Sequence, residues 1–197
     1  MDSRWSEADA REAVRRFARG RVNDDVALRV YSSRLLGRER RLVLHGGGNT
    51  SVKTHMTDIA GDEVEVLCVK GSGWDLAEIE PPGLPAVRLA PLKKLQRLAR
   101  LTDEDMVSYL RGNLLDAEAP NPSVETLLHA FLPHKFVDHT HADAVLALTD
   151  RADGLEVAAE VYDGRAAIVP YVMPGFALAQ QCAEAYARNP DAEGLVL

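Results

Sequence analysis

Asn121-Pro122-Ser123-Val124-Glu125 opens a stretch that continues through Leu127, Leu128 and His129 to Pro133 and ends on Phe136-Val137-Asp138-His139-Thr140-His141. Ser123 is a candidate N-cap, and Glu125 falls in the first turn, where the helix dipole favours a carboxylate. The helix runs to about residue 132, where Pro133 stops it. Residues 136–141 then read as a strand. In a strand, residues two apart share a face, so the imidazoles of His139 and His141 converge. Convergent neutral imidazoles suit zinc or another divalent transition metal. Asp138 and Asp143 are close enough in sequence to orient the rings. Glu125 reads either as a simple end-capping acid or as a general base directed at the metal. His129, one turn later on the same helical face, is a bystander or a further site residue.

Outward from this stretch, helical and strand patterns alternate along the whole chain. Apolar spacing predicts helices over 7–18 and 24–36, then a short buried strand at Leu42-Val43-Leu44 entering a glycine cluster. A strand over 64–69 ends at Lys70-Gly71-Ser72-Gly73, and Pro81-Pro82-Gly83 breaks the chain before a short strand at 87–89. Helices follow at 91–99 and 103–111, the second capped by Thr102. Beyond His141 come helices at 142–148 and 153–161, a strand at 166–169 and a helix at 176–188. This interspersion specifies an α/β class with a central sheet. Residues 193–197 read as the opening of a buried strand at which the sequence stops. One domain, 1–197, is therefore expected, incomplete at its C-terminus.

Two glycine turns each close a strand. In His45-Gly46-Gly47-Gly48-Asn49-Thr50-Ser51 the glycines let backbone amides approach an anion, and Asn49, Thr50 and Ser51 add donors. No Gly-Lys-Ser/Thr follows at P-loop spacing, and the dinucleotide fingerprint is absent. With Ser72-Gly73 and the Pro122-Ser123 helix start, the two turns suggest a phosphate cradle.

The net charge is −7, from 23 basic and 30 acidic residues, which argues against a nucleic-acid partner. Cys68 and Cys182 are expected to be buried free thiols. The N-terminus lacks the apolar core of a signal peptide, and no apolar run reaches the roughly 20 residues of a membrane span. A soluble, cytoplasmic protein is expected.

In order along the chain stand Gly48-Asn49-Thr50-Ser51, Ser72-Gly73, Pro122-Ser123-Val124-Glu125 and the His139/His141 strand. Together they resemble the class II aldolase/adducin family, and residues 123–133 look most like rhamnulose-1-phosphate aldolase-like domains fused to a short-chain dehydrogenase. The resemblance implies a mixed, largely antiparallel sheet between helices and a homo-oligomer, tetrameric in the family. It further implies zinc-dependent cleavage of a ketose 1-phosphate into dihydroxyacetone phosphate and an aldehyde. His139 and His141 would bind Zn2+, Glu125 would be the acid/base, and Gly48, Asn49, Ser51, Ser72, Gly73 and Ser123 would hold the phosphate. Two departures stand out. Val124 replaces a second serine found in many members, and the third zinc histidine, expected in a His-Gly motif on the strand that begins near Leu195, is not in this sequence. A pentulose-5-phosphate 4-epimerase, or a non-catalytic module like the head of adducin, are the alternatives.

Overall fold

A computed structural model of the chain describes residues 2–197. The central element is a four-stranded antiparallel sheet in the order β3-β2-β1-β4, built from β1 (Asn49–Thr57), β2 (Glu63–Val69), β3 (Ala86–Arg88) and β4 (Phe136–His139). A separate parallel pair joins β5 (Ala166–Ile168) to β6 (Gly194–Val196). Among the described residues no helix is long and apolar enough to cross a membrane.

Helices cover both faces of the sheet. On one side lies α2 (Asp24–Gly37), whose Val26 and Val30 pack with Val52, Val66 and Cys68. On the other, Leu67, Val69 and Val87 meet α3 (Leu89–Leu95), α4 (Asp103–Gly112), α5 (Thr126–Phe131) and, after α6 (Asp143–Thr149) and α7 (Gly154–Tyr162), α8 (Phe176–Arg188). Strand alternation explains the two cores: successive residues of β2 point to opposite faces. Each fully buried leucine, such as Leu67 or Leu92, contributes about 1.5–3 kcal/mol over an exposed one. The remaining helix, α1 (Glu7–Phe17), is capped by Ser6 and packs on α2.

Two expectations change. Leu42-Val43-Leu44 is a turn, not a strand. Val43 alone is buried, the Leu42 and Val43 amides donate to the Glu39 carbonyl, and the Leu42 carbonyl accepts from His141 N at 2.9 Å. The strand begins later, so Asn49, Thr50 and Ser51 belong to β1 and not to a loop. β4 is also shorter than expected, ending at His139. Both cysteines are free and buried, and burial pushes each thiol up to about 12.

Candidate active site

Antiparallel pairing sets Asn49 of β1 opposite His139 of β4, and such pairs share a face. α5 covers that face, with Glu125 at its N-terminal boundary. Ser123 does not cap through the first helical turn as expected. Its hydroxyl accepts from the Glu125 amide at 3.2 Å and its carbonyl from the Thr126 amide at 3.0 Å, a tight turn that aims the Glu125 side chain at the sheet.

Glu125 is 9% exposed, and its Oε2 accepts from His139 Nδ1 at 2.9 Å and from the Asn49 side-chain amide. Among the described residues Oε1 has no side-chain partner. Burial would raise this carboxyl, but the hydrogen bond and electrostatic attraction of the His139 ring, together with the hydrogen bond from Asn49, outweigh it and hold the group below its ordinary value. Glu125 is therefore ionised at neutral pH. A carboxylate only accepts, so His139 Nδ1 carries the proton and its Nε2 is left free.

His141, just past the strand, stays beside His139 with ring centroids 4.9 Å apart and planes tilted by 52°. Partial burial, then the neighbouring His139, lower its pKa, which keeps it in the neutral form a metal requires. These two imidazoles fit a divalent metal as two of its donors. Among the described residues no group of three or more His, Cys, Asp or Glu side chains is arranged to hold an ion.

The glycine and serine segments gather at the same end of the sheet. The Lys70 amide donates to the Thr50 carbonyl, Ser123 N to the Lys70 carbonyl at 3.1 Å, and Ser72 N to the Asn121 carbonyl at 2.8 Å. Ser72 and Gly73 are exposed, and the Asn49 side-chain amide reaches Ser123 Oγ at 3.4 Å. Lys70 is nearly buried and donates to the Gly46 carbonyl at 2.9 Å. Two candidates face elsewhere. Ser51 is fully buried with its hydroxyl 2.8 Å from His129 Nδ1, so it supports α5 and offers nothing outward. Gly48 has φ +64°, and a Cβ there would lie 2.6 Å from the His139 carbonyl oxygen. Gly48→Ala is therefore expected to cost about 1–3 kcal/mol through backbone strain and the clash with β4. Urea unfolding at pH 7 measures it, and a loss under about 0.5 kcal/mol, the ordinary surface value, would contradict this placement.

Sequence reasoning left His129 open. It is completely buried, and its Nε2 has no partner among the described residues. Burial, then the charge of His139, lowers it to about 3. Its spacing from Glu125 was the signal that it faces the sheet.

The model for the class II aldolase and adducin N-terminal domain matches residues 28–197. The chain belongs to the class II aldolase/adducin family. It is 46% identical over 164 residues to an uncharacterized oxidoreductase, YuxG, of Bacillus subtilis (strain 168), covering 83% of this chain and 24% of that protein. The chain thus spans about a quarter of that relative. It also resembles the structure of the N-terminal class II aldolase domain of a conserved protein from Thermoplasma acidophilum. That likeness has a TM-score of 0.85 at 39% identity, over 100% of this chain and 85% of the other. An aldolase II superfamily protein from Pseudomonas syringae shares the fold, with a TM-score of 0.51 at 18% identity over 94% of this chain and 66% of that one.

Proposed function

We propose that this class II aldolase/adducin-type domain is a metal-dependent aldehyde-lyase. It cleaves a ketose 1-phosphate of the rhamnulose 1-phosphate kind into dihydroxyacetone phosphate and an aldehyde. The observation that carries the proposal is Glu125, fixed through Oε2 with Oε1 free, beside the paired imidazoles of His139 and His141. His139 and His141 would hold a zinc or similar ion, which supplies stabilisation for the negative charge growing on the substrate carbonyl oxygen. A catalytic zinc commonly has three protein ligands. We assign the third to a segment or subunit beyond the described residues.

Glu125 Oε1 takes the proton from the C4 hydroxyl. The C3–C4 bond then breaks, its electron pair passes to C3 and the carbonyl, and C4 leaves as the aldehyde. Glu125 returns the proton to C3 of the three-carbon fragment. Ser72, Gly73, Ser123 and Asn49 hold the phosphate through hydroxyls, amide and backbone N–H groups, with Gly48 shaping the loop. The name of YuxG and its greater length support a domain that works beside a dehydrogenase in one polypeptide.

The test is zinc affinity of this chain and of a longer parent, followed by release of dihydroxyacetone phosphate from rhamnulose 1-phosphate. Histidine-dependent zinc binding, with release from the parent, is expected. Interconversion of pentulose 5-phosphates without release of a three-carbon fragment would move the assignment to an epimerase. A parent that binds no zinc and cleaves nothing would leave a protein-binding module.

A further inference from the structure

Behind the site, on the α2 face of the sheet, lies an arginine that the chemistry above does not use. Arg29 is 1% exposed. Its Nη2 lies 2.7 Å from Asp138 Oδ1 and 2.6 Å from Ser32 Oγ, its Nη1 donates to the Ser51 carbonyl at 3.3 Å, and its guanidinium sits 5.6 Å from the Phe136 ring centroid. One side chain thus ties α2 to both β1 and β4. The burial is costly, since Arg29 Nε is left without a partner. Only the arginine is sealed, because the Asp138 side chain is 46% exposed. A desolvated charge held by a partner at the surface adds little net stability, and its best-attested use is to specify one arrangement over another.

The arrangement at stake is the register of β4. That strand has only four residues and, within the described sheet, a single neighbour, β1. Asp138 and His139 are adjacent, so they point to opposite faces. A slip by one residue would carry Asp138 to the α5 face and His139 beneath α2. Apolar burial opposes the slip weakly, because Phe136 is 40% exposed and only Val137 of β4 is buried. We infer that Arg29 and Asp138 are positioning residues that lock β4 in the register that presents His139 to Glu125. The inference rests on His139 being a site residue.

The test needs neither metal nor substrate. Nitrogen-15 shifts of the imidazoles in the whole chain report which ring nitrogen of each histidine carries its proton. In the unaltered chain, His139 should be held as the Nδ1–H form by Glu125. Asp138→Asn, neutral and isosteric, should let His139 fall back to the Nε2–H form that free histidine prefers. Asp138→Glu, which keeps the charge, should largely restore Nδ1–H. The buried His129 should not change in either variant, which separates a register effect from general loosening. Should Asp138→Asn fail to fold, Arg29→Lys, which keeps the charge but loses the fork to Ser51, is expected to give the same loss. An unchanged His139 signal in the folded variant, or an unaltered chain without Nδ1–H at His139, overturns the inference. Neither result bears on whether the domain cleaves a sugar phosphate, which the zinc and cleavage assays decide separately.

Discussion

Glu125→Gln is expected to lower kcat for ketose 1-phosphate cleavage in the zinc-loaded parent polypeptide by about 10²- to 10⁴-fold, the usual contribution of a positioned acid/base. The amide is nearly isosteric, and its oxygen can still accept from His139 and Asn49, so the fold and metal content should hold while the proton carrier is lost. KM should move only a few-fold, because the phosphate contacts proposed above, Ser72, Gly73, Ser123 and Asn49, do not include Glu125. The pH profile adds a second reading. Glu125 is held below its ordinary value by His139 and Asn49 despite burial, so the ionised base persists to acidic pH. The acid limb of kcat/KM in the parent should lie below the usual carboxylate range. A variant within threefold of the parent would remove Glu125 from the chemistry.

Acid should unfold this protein through His129. Its pKa falls from 6.5 to about 3 on folding. Between these values the unfolded chain binds a proton that the folded chain refuses. Stability is therefore fully present above pH 6.5 and is lost as pH falls toward 3. At about 1.4 kcal/mol per unit, the full loss is on the order of 5 kcal/mol. His129→Asn keeps a polar atom near Ser51 but cannot titrate. It should be less stable at pH 7 by about 1–3 kcal/mol, from the lost volume and altered hydrogen bond, yet lose less between pH 6.5 and 5. Urea unfolding at those pH values measures the slopes. His141, also lowered, adds slope to both proteins, so the difference between them is the readout. Equal slopes would show that His129 is protonated in the fold.

Much of this architecture can be read from residue pattern, because helices with clear caps and apolar stripes declare themselves locally. The α5 helix and its stop before Pro133 follow from punctuation. Its start falls later than the Ser123 cap suggested, and spacing alone left Glu125 open between an end-capping acid and a general base directed at the metal. β1 escaped detection for a physical reason. Its buried side chains are largely polar: Thr50 meets Ser33 at 2.7 Å, Thr54 donates to Asp25, and Ser51 meets His129. A strand buried through hydrogen bonds carries no alternating apolar signal. Leu42-Val43-Leu44 erred in the opposite direction, since local apolarity there serves a turn that anchors the chain after β4. The phosphate candidates divided on a point invisible in one dimension. Ser72 and Ser51 both follow glycine turns in sequence, yet one is exposed and the other sealed under α5.

The alternation along β1 also assigns tasks by odd and even number. Thr50, Val52 and Thr54 face α2, whereas Asn49, Ser51 and Lys53 face α5 and the site, Lys53 donating to the His129 carbonyl at 2.8 Å. A saturation mutagenesis library across these six positions should therefore show a sawtooth of period two. Even positions would track protein abundance alone. Asn49 would lose activity at full abundance, while Ser51 and Lys53, which brace α5, would lose both together.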